Sequence, residues 1–234
     1  MKKFIAFLLI CTFSISLTAC SLTNLINDAL GNSAEYDKYV QSILDTYYKG
    51  DFSQYLNQVE TTQEEAQELY DDTMSNYGLY FMEYLGINTE YIDDSVVDAY
   101  TELAEQVCAK AKYTVGKPEK ISDGYCVKVK VSPMDFLKII RDPAVKYINE
   151  FEKDYENTDF EIYSDEDWKN YETKFSNNML EVIKPYVEKI SYGDAVEIVI
   201  QINFDTSTYY VNDNDWTNID TYILDLQATQ DTNE

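Results

Sequence analysis

The stretch KYTVGKPEKISDGYCVKVKVSP, residues 112–133, is where the period of the chain changes. Before it, apolar residues recur every three or four positions. Within it, Tyr125, Val127, Val129 and Val131 face one way while Cys126, Lys128 and Lys130 face the other. Lys112–Pro118 supplies a partner strand and Ser122, Asp123 and Gly124 a turn, so the stretch reads as a β-hairpin with one apolar and one wet face. A second run of period two lies at Val196–Phe204, where Val196, Ile198, Ile200, Ile202 and Phe204 alternate with Glu197, Gln201 and Asn203. Asp205–Ser207 turns the chain and Thr208–Val211 returns it, giving a second hairpin.

Helical periodicity fills the rest. From Glu35 to Lys49, a stripe of Tyr36, Tyr39, Val40, Ile43, Leu44 and Tyr47 predicts an amphipathic helix capped by Gly50. Thr61 and Thr62, each three residues ahead of a glutamate (Glu64, Glu65), read as overlapping capping boxes for a helix that reaches Leu85, with Gly78 as a bend and Gly86 as its stop. A third helix starts after Asp93 or Asp94 and runs to Ala111. Ser132, Pro133 and Asp135 suit the start of a fourth, carrying Phe136 to Phe151 and interrupted at Asp142 and Pro143. Asn157–Tyr163 reads as a polar connection, and Ser164 with Asp167 as the cap of a helix kinked near Pro185. A short helix at Trp216–Leu226 ends the fold. The expected class is α+β, with helices on one face of an antiparallel sheet of about four strands. The expected organisation is one domain over 35–228, or two helix–hairpin halves, 35–132 and 133–228, with a polar tail at 229–234.

The N-terminus reads as an address. Lys2 and Lys3 precede an apolar run from Phe4 to Leu17, too short to span a bilayer permanently, which is the pattern of a secretory signal over 1–19. Leu17, Thr18, Ala19 and Cys20 resemble the lipobox of bacterial lipoproteins. That resemblance implies cleavage between Ala19 and Cys20 and acylation of Cys20 with diacylglycerol and fatty chains such as palmitate. Residues 20–34 are then a tether. The lipobox together with YVQSILDTYYKGDF (39–52), the TTQEEA segment from Thr61, GYCVKVKVSP (124–133) and WTNIDTYIL (216–224) resembles a group of uncharacterised lipoproteins of Gram-positive, clostridia-like bacteria. Only the lipid site, Cys20, carries over from it. The layout of helices and hairpins is similar to cystatin-like or NTF2-like folds in architecture alone.

Composition narrows the chemistry. The formal charge is -25, and losing Lys2 and Lys3 with the leader makes it -27. No basic patch is legible that would neutralise phosphates, so nucleic acid is excluded as an expected partner, and the lipid must hold the body near anionic headgroups. The chain has no histidine, which removes Ser–His and Cys–His catalysis and the commonest nitrogen ligand for metals. Of the cysteines, Cys108 and Cys126 remain in the mature body. Their alternatives are a disulfide, worth around 3 kcal/mol in the chain-entropy model, or two small buried hydrophobes.

Acidic clusters at Asn212–Asp215, Asp71–Asp72 and Asp165–Asp167 read as solvated turns and caps. An EF-hand loop from Asp213 would require glycine at Asn218 and glutamate at Leu224. No metal, cofactor or catalytic residue is expected. The expected role is a noncatalytic lipoprotein on the outer face of the cell membrane, binding an envelope protein or glycan through an acidic, tyrosine-rich face. A solute-binding lipoprotein of a transporter is the alternative, and a carboxylate-based hydrolase stands behind it.

Overall fold

The computed structural model describes residues 35–226 except 123, 206, 207 and 212. The signal peptide 1–19, the lipid site Cys20, the tether 20–34 and the tail 229–234 lie outside the described residues. In chain order the elements are α1 (Tyr36–Lys49), α2 (Tyr55–Gln58), α3 (Gln63–Tyr84), α4 (Asp94–Cys108), β1 (Lys112–Ile121), β2 (Gly124–Ser132), α5 (Phe136–Asp154), α6 (Asp165–Ile183), β3 (Val196–Asp205), β4 (Thr208–Val211) and α7 (Asp213–Ile223), with 3-10 turns at Thr89–Tyr91, Phe160–Ile162 and Lys184–Lys189. The class is α+β. Among the described residues two compact units interleave along the chain: 74–107 with 136–190, and 35–73 with 108–135 and 191–226.

The second of these holds the sheet. All neighbours are antiparallel in the order β1-β2-β3-β4. The two local hairpins are joined by β2 and β3, whose register sets Val127 opposite Ile200 and Val129 opposite Ile198. Those four side chains, with Val131 and Ile202, are buried, whereas Lys130 and Glu197 sit opposite each other on the wet face. α1 and α7 pack against the sheet. Gly50 takes the left-handed conformation (φ 61°) that closes α1, its N–H bonding back to Thr46 O. The core stripe of α1 ends on Tyr48 rather than the expected Tyr47, because the sheet and α7 receive Tyr48. β1 outlasts Pro118: a bulge between Val115 and Pro118 absorbs the missing N–H, and the strand continues to Ile121.

The other unit is helical. Phe81 on α3 meets Phe136 on α5 with ring centroids 5.5 Å apart. Tyrosine hydroxyls tie helices to backbone carbonyls: Tyr84 to Leu137 O at 3.1 Å, Tyr100 to Ser176 O at 3.0 Å and Tyr147 to Phe175 O at 3.2 Å. Two expectations about prolines in this unit divide. At Pro185 α6 gives way to a 3-10 turn, as expected, but α5 runs unbroken through Pro143. One lost backbone bond is outweighed there by a continuous buried face of Phe136, Leu137, Ile140, Ala144, Ile148 and Phe151. α5 also starts at Phe136, so Ser132 and Pro133 are not its cap and first turn; Ser132 ends β2, and Pro133 O accepts from Gly193 N at 2.9 Å.

Gly78 is a contact, where the sequence suggested a bend. A Cβ at this position would stand 2.9 Å from Thr101 N and 3.0 Å from Tyr100 C, both backbone atoms of α4. Only a residue without a side chain lets α3 and α4 approach so closely. Gly78→Ala is therefore expected to cost about 1–3 kcal/mol through overpacking, read as a lowered urea midpoint; an unchanged midpoint would contradict the close crossing.

Candidate functional site

Between α5 and α6 the chain makes successive turns that gather aromatic rings. Phe151, Tyr171 and Phe175 are buried and form the floor, with Phe151 5.1 Å from both of the others. Above them Tyr155, Phe160, Tyr163 and Trp168 are half-buried. Phe160 stacks on Trp168 at 5.4 Å and 18°, Tyr163 meets Trp168 edge-on at 5.3 Å, and Tyr155 meets Tyr171 edge-on at 4.8 Å. Tyr91, from the turn after α3, adds a ring 6.1 Å from Trp168. Ile162, in the same 3-10 turn as Phe160, projects with 78% of its surface exposed.

Local hydrogen bonds hold the turn in shape. Asp159 Oδ1 accepts from Glu161 N at 3.1 Å, and Ser164 with Asp167 forms a full capping box at the start of α6. These bonds hold the Asp167 carboxyl below its ordinary range. Burial is the main cause that pushes the Tyr147 hydroxyl up to about 12 and raises that of Tyr171, so both stay protonated donors. The expected polar connection at Asn157–Tyr163 is thus an aromatic turn. Its signal in the sequence was Tyr155, Phe160, Tyr163 and Trp168 recurring inside a stretch otherwise made of acids and small polar residues.

The acidic clusters have structural work. Asp71 accepts from Gln67 Nε2 at 2.7 Å, and Asp165–Asp167 occupy the first turn of α6. Asp215 serves the sheet. β4 stops at Val211, opposite Ile202, and the next N–H along β3, that of Gln201, donates to Asp215 Oδ2 at 2.9 Å instead. Asp45 on α1 accepts three bonds: Tyr113 Oη at 2.7 Å and Lys49 Nζ at 3.0 Å share Oδ1, and Gln41 Nε2 donates to Oδ2 at 2.8 Å. Burial and this bond raise the Tyr113 hydroxyl far above its ordinary value. Nearby, buried Tyr48 donates to buried Asp220 of α7. Among the described residues no group of three or more His, Cys, Asp or Glu side chains could hold a metal ion, and no helix is long and apolar enough to cross a membrane.

The Cys108–Cys126 disulfide is not made: both residues are buried thiols. The hairpin register explains it. Lys112 pairs with Ser132 whereas Cys126 lies six residues along β2, about 20 Å away. Ala111 N bonds to Cys108 O, a turn that keeps Cys108 at the Ser132 end, outside the reach of about 7 Å between bridged Cα atoms.

The fold has a solved counterpart. The crystal structure of a candidate lipoprotein, ycdA, from Bacillus subtilis matches with a TM-score of 0.50 and 16% sequence identity, covering 82% of this chain and 56% of that one. This chain therefore spans little more than half of ycdA's length, and at that identity the likeness is one of fold. No protein-family model matches the sequence, and no curated protein matches it. The narrower resemblance to clostridia-like lipoproteins gains nothing from these comparisons.

Two outcomes are expected. In denaturant the envelope-purified chain should present Cys108 and Cys126 as two reactive thiols, and a protein without reactive thiols would overturn the separation argued from the register. The second concerns Asp215, whose carboxyl is raised by burial against the lowering effect of the Gln201 N–H. A folded pKa above the unfolded one gives stability that is fully present below the unfolded value of about 3.9 and is lost as pH rises through the folded value. Asp215→Asn keeps the acceptor oxygen and removes the ionisation. Its melting temperature should exceed that of the native protein at about pH 7, with the gap closing below about pH 4.

Proposed function

We propose that the protein is a lipid-anchored envelope lipoprotein that binds another envelope component without catalysis, using the aromatic turn between α5 and α6 as its contact face. The observation that carries this reading is the exposure of Ile162 in the turn that holds half-buried Tyr155, Phe160, Tyr163 and Trp168. An exposed apolar group that continues into partly exposed rings, rather than standing singly, marks a contact surface. The anchor half of the reading is supported by Leu17-Thr18-Ala19-Cys20 behind a short apolar run, and by the likeness in fold to ycdA, itself described as a candidate lipoprotein. Acyl chains contribute about 0.8 kcal/mol per buried methylene, enough for two or more chains to hold a strongly acidic body at a membrane that would otherwise repel it.

The two halves are tested separately. The mature protein isolated from membranes should begin at Cys20 and carry fatty acyl groups there, and Cys20→Ala should abolish fatty-acid labelling; a mature N-terminus elsewhere would contradict the anchor. Chemical crosslinking on intact cells should join the native protein to an envelope component, and Ile162→Ser should remove that product while leaving the circular dichroism spectrum unchanged. Crosslinks indifferent to Ile162→Ser would contradict the assigned face.

A further inference from the structure

We infer that the aromatic turn docks a basic polypeptide segment, with lysine or arginine side chains laid against half-buried Phe160, Tyr163 and Trp168 and an apolar side chain against Ile162. The inference rests on the binding reading above and names its partner. From Tyr155 to Trp168 the chain carries six carboxylates, Glu156, Asp159, Glu161, Asp165, Glu166 and Asp167, and no lysine or arginine. All six are exposed. Asp159 and Asp167 are spent on caps, and Glu161, Asp165 and Glu166 lie in helical first turns, yet none of these roles requires that a stretch holding four half-buried rings carry six acids and no cation.

Aromatic faces attract cations, and a rim of carboxylates strengthens that attraction. The cluster already shows this chemistry on one edge, where Lys174 Nζ lies 5.4 Å from the Tyr155 centroid and 5.6 Å from that of Phe151. Lys169, the cation that follows Trp168, is drawn away to Asp93 at 2.5 Å. Charge excludes the main competitors for this surface. Anionic headgroups, phosphate-bearing polymers and the same face of a second copy would each be repelled. A neutral glycan could stack on the rings but would gain nothing from the carboxylates beside them. A branched aliphatic group at 78% exposure also suits an apolar side chain of a polypeptide better than a sugar ring.

The test uses the full-length protein in detergent, titrated with a short peptide of alternating lysine and leucine and, in parallel, with a neutral oligomer of N-acetylglucosamine. The peptide should bind. Glu156→Lys with Glu161→Lys, and separately Ile162→Ser, should each weaken it by about tenfold or more, each variant keeping the native circular dichroism spectrum. Glu68→Lys with Asp72→Lys, the same change of charge on exposed positions of α3, should weaken it by less than about twofold. Equal losses from the two charge reversals would mean attraction to overall charge alone and would overturn the inference. Binding of the sugar but not the peptide, or of neither, would overturn it as well. The crosslinking experiment then separates the two claims. If Ile162→Ser still removes the cellular crosslink, the binding face stands without a basic partner; if it does not, both fall.

Discussion

Everything in the sheet-bearing unit depends on β2 pairing with β3. Each hairpin forms locally, but a two-stranded ribbon with one apolar face is marginal in water. Pairing Val127 with Ile200 and Val129 with Ile198 merges the two apolar faces into one surface that α1 and α7 can cover. The register has little latitude, since a slip of one residue would turn Lys128 and Lys130 inward. Gly124 shows how tightly the strands meet: at φ 154° a Cβ would stand 2.1 Å from Ile202 O, so the first residue of β2 must be glycine for β3 to lie beside it. α7 then completes the edge, with Asp215 taking the Gln201 N–H beyond the end of β4 and Ile223 O accepting from Met134 N.

Tyrosine accounts for much of the chain's character, with 22 residues among 234. The structure divides them by task. Buried Tyr100 and half-buried Tyr84 pack their rings in the helical unit and place their hydroxyls on backbone carbonyls, so burial leaves no orphaned donor there. In the sheet unit Tyr192 does the same for Lys110 O and Tyr113 for Asp45. Tyr155 and Tyr163 differ: they are ringed by other aromatic groups, and Tyr163 directly follows the exposed Ile162. An acidic, tyrosine-rich composition therefore conceals both a scaffold and a face, and only position separates them.

The alternating strands, the left-handed Gly50 and the caps were legible because each is a local rule. Even the choice between overlapping boxes follows one: Thr62 and Glu65 exchange the bonds, with Glu65 Oε2 accepting from Thr62 N at 2.8 Å. What was hidden depends on partners distant in sequence. Tyr48 rather than Tyr47 is buried because Asp220 lies 172 residues away. Gly78 is small for the sake of α4, and the spacing of Cys108 and Cys126 is decided by a register invisible in either segment. Pro143 misled because propensity is weaker than a continuous buried face. The aromatic turn was overlooked since its rings are interleaved with acids, which in isolation describe a solvated loop.

Amide hydrogen exchange of the full-length protein, with and without envelope extract, is the most direct test of this division between scaffold and face. The amides of β2 and β3 should exchange among the slowest in both conditions, and residues 155–168 should exchange readily alone and gain protection in the extract. Fast exchange along β2 and β3, or protection appearing on the outer sheet positions around Val199 with none at 155–168, would contradict the account.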